Sequence, residues 1–149
     1  MVGEEDASWW FLWFKELQRL NKVAMPRCLF PDRETLESSE LHTFCDASEE
    51  AHAAVIYIRN VYSSGQVVIR QVKATNKLAP KKTISVPKLE LNAVLLGARV
   101  TQAIQQALPD HIHRRRFWTD SSTVRNWIRA TAANYQVFVS VIVSGRSKQ

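Results

Sequence analysis

An α/β domain built on a mixed sheet is the fold this chain predicts, and three features predict it. From residue 41 to residue 73, two alternating runs flank a more continuously apolar and therefore central one, with only short turns between them, the pattern of an antiparallel meander. PKLELNAVLLGARVTQAIQQAL follows, with Leu89, Ala93, Leu96, Val100, Ile104 and Leu108 at helical spacing behind Pro87. RRRFWTD then supplies a fourth strand. A strand reached through a helical crossover pairs in parallel with right-handed connection, and the first strand is its expected neighbour.

Taken in order, residues 6 to 21 repeat Trp10, Trp13, Leu17 and Leu20 with charged residues between them, which predicts a helix with Asp6 as its N-cap. Three of the five tryptophans fall in it. Two readings stay open: the aromatic residues pack on this domain's own core, or they dock on a neighbouring domain. A stretch holding Pro26 and Pro31 leads on, so residues 1–40 are a helix and connection and residues 41–149 the main domain. Leu41 to Asp46, Ala51 to Arg59 and Gln66 to Lys73 are the meander strands, turning at Ala47 to Glu50 and Ser63 to Gly65. The fourth strand closes at Asp120, and SSTVRNWIRA predicts a helix capped by Ser121 or Ser122. The tail, NYQVFVSVIVSGRSKQ, fits a strand by its β-branched content and a short helix in its earlier part.

Composition bounds the function less sharply. At 149 residues the chain can bury one core, and its net charge of +6 (20 basic minus 14 acidic) leans towards an anionic partner. Cys28 and Cys45 have neither CxxC nor Cys/His spacing, which argues against a zinc site or a disulfide framework and for free thiols in a reducing compartment. WWFLWF is too short for a membrane span or a signal core, so an intracellular chain without a membrane partner is expected.

The acidic residues carry the chemistry. Asp46 ends the first strand, Asp120 the fourth, and parallel neighbours would bring these ends together. Glu90 interrupts the apolar run KLELNAVLL in what reads as the first turn of the long helix. Each has an ordinary reading: Asp46 as a turn former, Glu90 as a dipole-favoured helix acid, Asp120 as an N-cap. Three carboxylates converging without cations between them would repel one another, whereas a hard divalent cation is bound by such oxygens.

LHTFCDAS, VPKLELNAVLLGARV and FWTDSSTVRNWI, in this order, resemble the ribonuclease H region of BEL/Pao-type retrotransposon polyproteins. WFKELQRLNKVAMPRCLF resembles the segment joining reverse transcriptase to that region. The resemblance covers about residues 6 to 139 and implies a ribonuclease H-like fold. Through DAS, LEL and TDS it implies that Asp46, Glu90 and Asp120 are catalytic metal-binding carboxylates, with Mg²⁺ or Mn²⁺ as cofactor. Such enzymes hydrolyse the RNA strand of an RNA/DNA hybrid with two cations about 3.5–4 Å apart. Asp46 would be the central ligand. The family completes its site with a further Asp after a fifth strand, whereas no acidic residue follows Asp120 here. A truncated copy, with a weakened or lost activity, is the expectation.

Lys81, Lys82, Arg114, Arg115 and Arg116 read either as a solvated surface or as phosphate contacts giving salt-dependent binding. His111 and His113 are assigned to solvent. The resemblance implies RNA/DNA hybrid or other nucleic acid as partner, together with the reverse transcriptase portion of a parent polyprotein, in the cytoplasm or a virus-like particle. A non-catalytic nucleic-acid-binding remnant is the alternative. An aspartic peptidase would need Asp-Thr/Ser-Gly, and FCDAS and TDSS do not supply it.

Overall fold

The computed structural model describes residues 4–31, 35–81 and 84–129. Three helices and four strands follow one another as α1 (Glu4–Leu17), β1 (Leu36–Ala47), β2 (Ala51–Tyr62), β3 (Val67–Leu78), α2 (Val86–Ala107), β4 (Arg114–Trp118) and α3 (Ser122–Arg129). The sheet order is β3-β2-β1-β4. β1, β2 and β3 pair antiparallel, and β4 lies parallel to β1. The mixed sheet and the parallel fourth strand are as the sequence predicts. The tail falls outside the described residues. None of the described helices is long and apolar enough to cross a membrane.

Alternation sorts each strand onto two faces. Leu41, Thr43 and Cys45 of β1 stand opposite Ile58, Ile56 and Ala54 of β2 and are buried. They meet Leu91, Ala93 and Val94 of α2 and Val124 of α3 in one core. Strand β1 begins at Leu36, five residues before the sequence shows it, because ESSE hides the alternation. Ser39 is fully buried there, its hydroxyl donating to Asn60 Oδ1 at 2.7 Å. A buried hydroxyl with a partner costs little, so the strand runs on through a polar stretch.

The connection between α1 and β1 is attached to this core. Asn60 Nδ2 donates to the Leu29 carbonyl at 2.7 Å, and Phe30 stacks on His111 with ring centroids 4.8 Å apart. Helix α1 is a different case. It starts at Glu4, so Asp6 lies within it rather than capping it. Trp9, Trp10, Phe11, Leu12, Trp13 and Phe14 are all exposed, Phe11 to 77%. Among the described residues the helix packs appreciably only on the 3-10 turn Gln18–Lys22 that continues it. The aromatic side chains therefore do not join the domain's own core.

Candidate metal centre

Asp46 and Asp120 border one cleft of ≈ 430 Å³ at the end of β1 and β4. The parallel register explains this: Phe44 pairs with Trp118, and each aspartate follows two residues later, Asp46 within β1 and Asp120 just past the end of β4. Phe44, Trp118, Thr119 and Ala53 are among the other residues that line it. Both aspartates are exposed.

The ordinary roles open to these acids are filled by other residues. In the β1–β2 turn, Ser48 Oγ accepts from the Glu50 and Ala51 N–H groups at 3.3 and 3.2 Å, and Ser48 N–H donates to the Ala51 carbonyl at 2.8 Å. Asp46 takes only the adjacent Ala47 N–H, through Oδ1 at 2.8 Å. At the start of α3, Ser121 Oγ accepts from Val124 N–H at 3.2 Å, which makes Ser121 the cap and leaves Asp120 outside that role.

Glu90 stands apart. Helix α2 begins at Val86, and no acidic residue lies in its first turn, so Glu90 is one position beyond where the sequence reading puts it. Its side chain is half-buried and does not border the Asp46–Asp120 cleft. Leu89 and Leu91, on either side, are buried against the sheet. Alternation sends Cys45 inward beneath α2 and Asp46 to the opposite face, as the register requires. Among the described residues no group of three or more His, Cys, Asp or Glu side chains is placed to hold a metal ion. Two carboxylates of the proposed three thus share a cleft, and the third does not.

The basic residues divide as well. Arg114, Arg115 and Arg116 border a second cleft of ≈ 390 Å³ with Gln105 and His113. Arg116 is engaged in a two-pronged pair with Glu40: Nε donates to Oε2 at 3.1 Å and Nη2 to Oε1 at 3.2 Å. That hydrogen bonding holds the Glu40 carboxyl below its usual range. Arg114 and Arg115 are exposed on either face of the edge strand, and Lys81 is exposed in its loop. Lys82 lies outside the described residues. His113, assigned to solvent from sequence, brackets β1 instead: its N–H donates to the Ser39 carbonyl at 2.9 Å and its Nδ1 accepts from Ser39 N–H at 3.0 Å. No local pattern around HIHRRR signals that pairing.

On the face turned away from α2, Trp118 stacks between His42 and Phe44, at ring-centroid distances of 6.0 and 5.9 Å. Trp118 Nε1 donates to His42 Nδ1 at 3.2 Å, and Tyr57 meets Phe44 edge-on. Phe44 alternates with the core positions of β1, but β4 is exposed along its whole length and its alternation does not mark Trp118 as part of a stack.

No curated protein matches the chain significantly. Among solved structures, the chain is similar to that of RNase H1 from the halophilic archaeon Halobacterium salinarum NRC-1, at 11% identity over 71% of this chain and 78% of that one, with a TM-score of 0.40. The family model described as Pao retrotransposon-like RNaseH-like domain matches residues 1–121, which span α1, the whole sheet and both aspartates of the cleft. With its mixed sheet, parallel fourth strand and covering helix α2, the chain belongs to the Pao retrotransposon-like RNaseH-like domain family.

Proposed function

We propose that this chain is a ribonuclease H-like module that binds RNA/DNA hybrid and hydrolyses its RNA strand weakly or not at all. The observation that carries this reading is the pairing of Asp46 with Asp120 across one cleft while Glu90 lies outside its rim. Two exposed carboxylates suit one hard cation whose remaining positions are filled by water, and Mg²⁺ or Mn²⁺ is the class they would take. They do not suit a close pair of cations, which needs bridging and flanking carboxylates together. A divalent ion in such a site supplies charge stabilisation at a scissile phosphate.

The protein's own part is binding and orientation. Arg114 and Arg115 are placed on the edge strand beside the cleft's own strand and would meet backbone phosphates without reading bases. Arg116 would contribute less, because Glu40 already occupies its guanidinium. Hybrid would be distinguished from duplex DNA through groove shape and 2′-hydroxyls. The non-catalytic alternative is favoured by the absence, among the described residues, of a three-ligand cluster.

The test is a labelled RNA/DNA hybrid incubated with the purified chain, with Mg²⁺, with Mn²⁺ and with chelator. Binding that weakens steeply with salt, with little cleavage in any arm, is expected. Robust chelator-sensitive cutting abolished by Asp46→Asn would show an intact nuclease and overturn the weak-or-lost reading. Absence of hybrid binding at low salt would overturn the nucleic-acid assignment itself.

A further inference from the structure

Two apolar surfaces are left uncovered by the described residues, and their chemistry is complementary. The first is α1, whose run from Trp9 to Phe14 places large side chains all round the helix, every one at least 49% exposed. A helix that is apolar on every side is stable in water only when something surrounds it. The second is the sheet face opposite α2. There His42, Phe44, Tyr57, Arg59 and Ile69 enclose an almost wholly apolar cleft of ≈ 300 Å³, and Phe44, Trp118 and Ile69 are 46%, 48% and 57% exposed. An exposed sheet face with this much aromatic and apolar surface calls for a cover.

We propose that α1 of one copy docks on the open sheet face of a second copy, and the second copy's α1 on the first, in a reciprocal two-fold dimer. Charge favours the match. The α1 sequence holds four acidic residues against Lys15, whereas the receiving face carries Arg59 and Arg114 against Asp46, with Arg116 and Glu40 paired to each other, so a docked helix and a bound hybrid compete for Arg114. Size permits it as well. About three of the five aromatic side chains can face one sheet, and at roughly 100 Å² each they remove roughly 300 Å² per helix. With a similar area on the receiving face and two equivalent contacts, the total is on the order of 1,200 Å², the lower end of the range for a specific interface.

The connection runs to the edge of the sheet. Leu29 and Phe30 are fixed near Asn60 and His111, on the α2 side of the sheet. Val23, Met25 and Arg27 then border the same cleft as Gln71 and Lys73 of β3, the far edge strand. The connection thus reaches the β3 edge, and α1 beyond it packs appreciably, among the described residues, only on the turn Gln18–Lys22, which leaves it free to meet another copy. Such an exchange is isologous and closes with two subunits.

Sedimentation equilibrium of the whole chain over a concentration series tests the proposal. A dimer is expected. Trp10→Ser with Trp13→Ser on the helix, and separately Ile69→Lys on the sheet, should each raise the dissociation constant at least about tenfold. Both sites are exposed, so circular dichroism should be unchanged. Mixing the helix variant with the sheet variant should recover a heterodimer, because each supplies the surface the other lacks. A monomer would overturn the proposal, whether the open face is then covered by residues 130–149 of the same chain or by a nucleic-acid strand. A dimer insensitive to Ile69→Lys would overturn it too, by showing helix-to-helix pairing.

Discussion

A methyl group built on Gly97 of α2 would lie 2.6 Å from Cys45 Sγ and 2.8 Å from Thr43 Cγ2, both on β1. The helix therefore rests on the strand at a separation that only glycine allows. That spacing sets the height of α2 above the residue before Asp46, so it links the core to the candidate site.

Gly97→Ala should lower stability by up to about 2 kcal/mol. Alanine gains about 1 kcal/mol in helix propensity, but overpacking a tight core costs about 1–3 kcal/mol, and here both neighbours are held by the sheet. Urea denaturation measures the net effect, and adding Cys45→Ala should recover part of the loss. A more stable Gly97→Ala protein would show that α2 can lift from β1 at no cost.

The two cysteines should differ sharply in reactivity. Cys28 is exposed and Cys45 buried, with burial pushing the Cys45 thiol up to about 11. A thiol-specific reagent at neutral pH should label one cysteine of the native chain quickly and the second only in denaturant. The sign of the linkage follows. The Cys45 thiol ionises near 9 when unfolded and only near 11 when folded, so its contribution is full below pH 9 and declines as pH rises through 11. Melting temperatures followed from pH 8 to 11 should fall less in Cys45→Ala than in the parent.

Thr43 Oγ1 and Thr101 Oγ1 are 2.6 Å apart, and both residues are fully buried between β1 and α2. Thr101→Val should cost about 1–3 kcal/mol, because the Thr43 hydroxyl is left buried without its partner. Replacing both by valine should cost less than the two single changes added together. A double-mutant cycle reads the difference, and strict additivity would mean that water satisfies either hydroxyl alone.

The strand order was legible because it rests on local signals that agree: period-two runs, Pro87 opening a helix, and a crossover before RRRFWTD. What the sequence concealed depends on pairs far apart along it. Ser39 looks like a loop residue until Asn60 and His113 are set beside it, and ESSE then becomes the opening stretch of β1. Gly97 in mid-helix was a visible sign of close packing, though not of what it touched. Asp46 and Asp120 could be placed together from parallel pairing alone. Glu90 could not, since its position relative to them depends on where α2 begins, and helix starts shift by a residue or two without any change in the pattern of apolar positions.

The same geometry separates the three acids by experiment. A divalent ion that binds only the folded chain raises its stability by RT ln(1 + [L]/Kd), about 2.7 kcal/mol at one hundred times Kd. Asp46 and Asp120 share the cleft, so Asp46→Asn and Asp120→Asn should each remove most of the Mg²⁺- or Mn²⁺-induced rise in melting temperature, a neutral amide being a poor ligand for a hard cation. Glu90 is outside the cleft, so Glu90→Gln should retain most of that rise. Thermal melts at increasing metal concentration measure all three without relying on cleavage. Should Glu90→Gln abolish the rise as fully as Asp46→Asn, the start of α2 must move when the ion binds, and the two-carboxylate site would give way to a three-carboxylate one.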